Sequence, residues 1–301
     1  TIAAGYSQSG GVTFQLDLTQ NNFMGTGDRV KAALSRSETR DSYSLGYTDP
    51  YFTENGVSQG ISAYYRETKY DDRNVSNYVT DAYGATLNYS YPVDETKRVS
   101  AGLNVDNTTV RGGSNLGVSN VQQIIDDGGE PTLFDNGRTG FKNDYQSYNL
   151  LFGWDYSTLD RPVFPNKGMS HTVNGTIGLG DSSYQKLVYT GNIYQPIYKD
   201  WVARGYTKLG YGNNLPFYEN FYAGGYGSVR GYEASTLGPR SQSYADAVDP
   251  DPKVRYTQDE EVGGNALVSF GTELILPMPF KGDWADQVRP VLFAEGGQVF
   301  D

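Results

Sequence analysis

The sequence predicts an all-β protein, a transmembrane antiparallel up-and-down β-barrel, and three observations carry that expectation. Apolar and polar residues alternate in segment after segment, as where Val12, Phe14, Leu16 and Leu18 interleave with Thr13, Gln15 and Asp17. The 301 residues include 37 glycines, 26 tyrosines and no cysteine, which suits many turns and aromatic strand ends. Short turns at 49–57, 92–96 and 196–200 interleave with longer connections at 68–77, 107–144 and 213–263, as short periplasmic turns alternate with long external loops.

The averages alone suggest a soluble acidic protein. Mean hydropathy is −0.57 and no stretch approaches the roughly 18 apolar residues of a spanning helix. A membrane barrel hides its spans from such averages, because each strand puts apolar residues toward lipid and polar ones toward the lumen. The formal charge of −11 and pI near 4.6 argue against a nucleic-acid partner. There is no charged start, apolar core and small-residue cleavage site of a secretory signal, so any such signal is expected to have been removed or to lie outside this chain. The lack of cysteine fits an oxidising compartment.

Ile2 to Gln8 and Val12 to Leu18 read as strands around a turn at Ser9-Gly-Gly11. Asn21 to Asp28 is a turn, after which Val30, Ala32 and Leu34, then Tyr43, Leu45 and Tyr47, then Ile61, Ala63 and Tyr65 mark three more strands. Val79, Tyr83, Ala85, Leu87, Tyr89 and Tyr91 share one parity, interrupted only by Asp81. Val99, Ala101, Leu103 and Val105 oppose Arg98, Ser100, Asn104 and Asp106, and Tyr148, Leu150, Phe152, Trp154 and Tyr156 oppose Ser147, Asn149, Gly153 and Asp155. Later strands run approximately over 169–179, 184–195, 201–211, 265–276 and 287–297, making about thirteen. A single-chain barrel closes with an even number, so the chain is expected to be an incomplete barrel.

The interval 213–263 is too long for an ordinary connection and too aromatic for a solvated linker. Phe217, Tyr218, Phe221, Tyr222, Tyr226 and Tyr232 surround Gly224, Gly225, Gly227 and Gly231, so a loop that folds inward and packs is expected. Its tip carries Val229, Arg230, Gly231 and Tyr232. An arginine there needs a partner or water. Glu273 shares its parity with Ser269 and Gly271, opposite Val268, Phe270 and Leu274, so it should face the lumen and can meet Arg230 in a charge-assisted pair. Alternation around Val291, Phe293 and Glu295 is too poor to assign a face.

Nothing in the chain proposes an enzyme, a cofactor or a metal. His171, the single histidine, sits at a strand end, reads as an interfacial or packing residue, and has no acid, base and nucleophile set around it. Asp71-Asp72, Asp126-Asp127 and the acidic run from Asp249 to Glu261 lack the spacing of a calcium loop and read as solvated charge. Gly225-Tyr-Gly-Ser-Val-Arg230 fails the dinucleotide pattern at its last glycine.

Several motifs carry a family resemblance across nearly the whole chain. They are Gly25-Thr-Gly27, Asp49-Pro-Tyr-Phe52 with Asn55-Gly-Val57, Leu159-Asp-Arg161 with Phe164-Pro-Asn-Lys-Gly168, the run Pro216 to Gly225, Ser228-Val-Arg-Gly231 and Gly263-Gly-Asn-Ala266. In this order the set resembles the BamA family, barrel subunits of the outer-membrane protein assembly machinery, and their wider superfamily of barrel insertases and transporters. The resemblance implies a barrel of about sixteen strands when complete, with N-terminal periplasmic domains and last strands absent from residues 1–301. It implies a Gram-negative outer-membrane location, unfolded β-barrel proteins as substrates, and accessory lipoproteins and the lipid bilayer as partners. By resemblance Arg230, Glu273 and Glu295 occupy the positions of the family's loop arginine and its two acidic wall partners, although 295 is usually aspartate. Asp160, Arg161, Phe164, Pro165 and Gly168 form a structural turn in that likeness. The first strand, Ile2, Ala3, Ala4, Gly5, Tyr6 and Ser7, is the implied edge on which an incoming strand pairs, across a weak lateral seam. The alternative within the superfamily is a transporter that secretes one polypeptide, and a passive porin is a remoter third.

Overall fold

The computed structural model describes residues 2–7, 11–37, 40–68, 78–113, 116–133, 139–225, 227–243, 260–278 and 288–301. The strands are β1 Ile2–Ser7, β2 Gly11–Asn21, β3 Arg29–Arg36, β4 Arg40–Asp49, β5 Ser58–Thr68, β6 Tyr78–Pro92 and β7 Lys97–Gly113. A helix α1, Val118–Asp126, and a short strand β8, Glu130–Leu133, precede β9 Thr139–Ser157, β10 Gly168–Gly180, β11 Tyr184–Tyr198 and β12 Trp201–Asn213. Two-residue strands β13, Arg240–Ser241, and β14, Glu260–Glu261, lead to β15 Ala266–Ile275 and β16 Val291–Phe300. Among the described residues thirteen strands form the wall in the order β1 to β7, β9 to β12, β15, β16, each antiparallel to the next. Among the described residues β8 pairs with β9, off the path of the wall, and β13 pairs with β14.

Parity sorts the wall as the sequence alternation requires. Leu103, Phe152, Leu187 and Phe270 are exposed on one face, while Ser147, Asn149 and Ser269 are buried on the other. A face this apolar and this exposed is a lipid surface, and the polar face is a wet lumen. Within it Asn149 donates to Asn104 at 3.0 Å and to Asp106 at 2.9 Å. Residues of β6, β7, β9, β11, β12, β15 and β16 all reach the 214–230 loop or the apolar clusters that it joins. The sheet therefore curls around that loop as a barrel wall.

Three expectations are corrected. Residues 107–144 are not one long connection: β7 continues to Gly113, β9 begins at Thr139, and a helix lies between them. Beyond the lipid zone Val110, Phe141 and Tyr145 pack inward, with Leu116, Val121 and Ile124, so the outer face no longer has to be apolar and the alternation fades. The last strand is Val291–Phe300 rather than 287–297. The alternation of loop lengths is also less regular than expected. The β3–β4 and β10–β11 turns at the long-loop end are short, while 158–167 and 276–290 at the other end are longer. Two clusters fill the long-loop end. One joins Leu116, Val121 and Ile124 to Phe217, and the other joins Leu215, Phe221 and Ala223 to Leu267 and Val299. Gly210 is required beneath the second, because a side chain there would collide with the Phe221 ring.

Ile124 is fully buried. Ile124→Ala should cost about 2–5 kcal/mol of local stability, read as faster protease cleavage within 116–133 while the wall stays folded. At the opposite end Asp160 accepts the backbone N–H groups of Asn166 at 2.9 Å and Lys167 at 3.3 Å. These bonds, the Asn166 one foremost, hold its carboxyl below the ordinary value. A lowered folded-state value means the stabilisation is complete above the ordinary carboxylate value of about 4 and is lost as pH falls through the lowered one. Asp160→Ala should therefore loosen the 158–168 turn at neutral pH, measured by hydrogen exchange, and the difference from the native chain should shrink below about pH 4.

Candidate functional site

The site is built where the β12–β15 loop meets three wall strands. The loop leaves β12 through Pro216 and a single turn, Phe217–Glu219. Lys186 on β11 holds that turn, donating to the Glu219 carbonyl at 2.7 Å and to its carboxylate at 2.8 Å. The chain then reverses through Gly224, whose φ of 114° suits glycine and whose missing side chain clears the Glu233 carbonyl. Val229 is buried against Gly297, which leaves it room.

This seats Arg230 between two carboxylates. Its backbone N–H donates to Glu295 Oε2 at 2.6 Å and its Nε to Glu295 Oε1 at 2.7 Å. Its Nη2 lies 2.6 Å from Glu273 Oε1 and 2.5 Å from Glu295 Oε1, and the guanidinium covers the Phe293 ring at 3.6 Å. The carboxylate side chains are 9% and 5% exposed, so they need compensating charge. The hydrogen bond to Glu295 also pushes the arginine pKa up, against partial burial.

Glu295 lies on the lumen parity of β16, with Gly297 and Val299, which the sequence pattern left open. Strand alternation is obscured there because apolar Phe293 shares that parity, opposite Glu273 and beneath the Arg230 guanidinium, so both parities carry apolar residues. Sequence reasoning also missed two members of the cluster. Arg204 on β12 donates to Glu273 Oε2 at 2.9 Å and to Asn192 Oδ1 at 2.7 Å. Tyr206, two residues on, donates its hydroxyl to Glu295 and accepts from Arg230. Their shared parity on β12, facing Glu273 and Gly271 in register, was the available signal. Two arginines and two glutamates thus form a charge-balanced quartet.

The other singled-out residues fall elsewhere. Tyr232 is 56% exposed and stands apart from the quartet, and Gly231 takes φ 92°. Tyr226, Asp71, Asp72 and the run 249–259 lie outside the described residues. Asp127 accepts the Tyr145 hydroxyl at 3.1 Å, and His171 Nδ1 lies 2.8 Å from the Tyr189 hydroxyl. Ile2 to Ser7 pair with β2 from Leu16 to Gly11, and Ile2, Ala3, Ala4 and Gly5 are exposed.

Truncating Arg230 to methionine leaves two nearly buried carboxylates with less compensation. The loop should lose about 2–5 kcal/mol of docking stability, measured as protease susceptibility of 214–243. Glu295→Gln in the same chain should recover part of it, because one uncompensated charge is gone.

Residues 22–301 match the model of the Omp85 superfamily domain. The outer membrane protein assembly factor BamA of Neisseria meningitidis is 33% identical over the whole of this chain, which spans 37% of that protein. The BamA of Nitratidesulfovibrio vulgaris is 26% identical over 78% of the chain and 28% of its own length. Among solved structures, Haemophilus ducreyi BamA lacking POTRA domains 1–3 superposes with a TM-score of 0.82 at 28% identity, covering 98% of this chain and 56% of that one. CdiB from Acinetobacter baumannii shares the fold, with a TM-score of 0.56 at 14% identity, over 98% of this chain and 48% of that one. The chain belongs to the Omp85 superfamily and is an outer-membrane β-barrel.

Proposed function

We propose that this chain is the barrel domain of an outer-membrane protein assembly factor, which folds and inserts other β-barrel proteins. The observation that carries the reading is the anchored loop, a lumen-seated arginine held by two wall glutamates, in a chain resembling BamA along its full length. A passive pore has no need of an arginine-bearing aromatic loop anchored to its inner wall. In this reading the incoming polypeptide is folded beside the lumen rather than passed through it.

Unpaired strand edges are costly in hydrocarbon, so a folding barrel needs a partner edge as it enters the bilayer. The first strand supplies it. β1 spans six residues where β9 spans nineteen, and Ala3, Ala4 and Gly5 give little side-chain grip. A strand held this lightly exchanges partners by backbone pairing, as other sheet edges do. No bond is made or broken in the proposed activity, and no nucleotide or metal enters it. Accessory lipoproteins of the assembly complex are its expected partners.

Depletion of the full-length parent protein, followed by quantitative proteomics of the outer membrane, tests this. Many unrelated barrels should fall together. Loss of one secreted polypeptide with the barrels unchanged would replace the reading by a dedicated transporter. In the same assay Arg230→Glu should impair assembly, and Glu273→Arg added to it should restore part of the activity. Equal activity for all three forms would remove the ion pair from the mechanism.

A further inference from the structure

The lipid-facing wall across β9, β10, β11 and β12 carries a groove of about 530 Å³, lined by Phe152, Trp154, Val173, Ile177, Leu187 and Tyr211. Its floor is Gly175. In register, Phe152, Gly175, Leu187 and Tyr211 form one row across the four strands, so a glycine interrupts a line of large apolar side chains. Neither backbone nor packing demands it. Gly175 does not take a positive φ, and a Cβ there would meet Leu187 and Phe152 only at ordinary contact distances of 3.8 and 3.9 Å.

Toward the short-turn end, the periplasmic side of such a barrel, the groove ends on an aromatic shelf. Trp154, Tyr156, His171 and Tyr189 follow one another with ring centroids 6.2, 5.9 and 6.0 Å apart and planes within 20° of parallel. Tyr189 lies along its strand over Gly191, where a side chain would meet its hydroxyl, and so reaches His171 Nδ1. Lys97 is the register neighbour of Tyr156, and its ammonium lies 3.0 Å from Asp94. The lowest row therefore offers an ammonium, an imidazole and tyrosine hydroxyls, four residues, or about 13 Å along a strand, from the glycine floor.

An apolar trough leading to a row of hydrogen-bonding and cationic groups at the interface has the polarity profile of a single lipid molecule. We propose that this wall holds one glycerophospholipid of the periplasmic leaflet, an acyl chain lying over Gly175 and its phosphate at Lys97, Tyr156 and His171. The occupant is a lipid because the groove is continuous with the exposed apolar face that the bilayer covers.

The test uses the full-length parent protein in proteoliposomes containing a trace of phosphatidylglycerol with a mid-chain diazirine. After illumination, mapping of labelled peptides should show enrichment at Phe152, Val173 and Leu187 over apolar residues of β2 to β5. Gly175→Leu, which fills the trough, should lower that labelling at least about fourfold, the factor for one methylene no longer buried, and leave β2 to β5 unchanged. Lys97→Gln leaves the trough intact and should lower the same peptides through the headgroup alone. Uniform labelling around the barrel, indifferent to both variants, would overturn the site in favour of ordinary boundary lipid. Absence of label from the groove alone would overturn it in favour of a protein occupant.

Discussion

Two nearly buried carboxylates side by side in a barrel wall need opposite charge in place, and that requirement organises this end of the lumen. Glu273 and Glu295 project from adjacent strands, and Arg204 pairs with Glu273. Arg230 completes the set from a loop, and to bring it there the chain needs the Gly224 reversal, the Lys186 clasp on Glu219, the seat of Phe221 over Gly210 and that of Val229 over Gly297. The wall is smooth where the loop is bulky. Glycine on the strands meets valine and phenylalanine from the loop, so shape complementarity and charge balance act on the same segment.

Those interior contacts coexist with an exterior that obeys a single rule, apolar side chains toward lipid. The rule explains why period-2 alternation made most of the wall legible from the sequence. Val99 to Val105 and Tyr148 to Tyr156 could be assigned strand, face and parity directly, and Glu273 could be aimed at the lumen from Ser269 and Phe270 beside it. The rule also marks where legibility stops. Above the bilayer, Val110 and Phe141 are apolar because a helix covers them, so parity there reports the covering helix and not lipid. Val118, Val121 and Ile125 did carry a helical spacing, but ten residues between Gly117 and Gly128 give it little length.

The quartet was half legible for the same reason. An arginine at the tip of an aromatic, glycine-rich loop and an inward glutamate on a clean strand are local signals. Glu295 sits in a strand where both parities carry apolar residues, Leu292 outward and Phe293 under the Arg230 guanidinium, which defeats alternation. Arg204 and Tyr206 share a parity that the sequence displays, but their importance lies in which residues of β15 they face, which only the register reveals. Tyr232 shows the converse, a motif residue whose side chain does not join the cluster.

The glutamates also bear on how the strands find their alignment. A slip of one residue between β15 and β16 would turn every side chain of the slipped strand to the other face. Glu295 would then point into hydrocarbon, where a charge on the lipid face of a barrel is destabilising, less for a carboxylate than the ~2–4 kcal/mol of a cation at the midplane, and Arg230 would lose the acceptor of its own backbone N–H. Gly297 would move from beneath Val229 as well. The same ionic contact that seats the loop therefore penalises misalignment of two wall strands, acting as a proofreading mark for sheet register far from any turn.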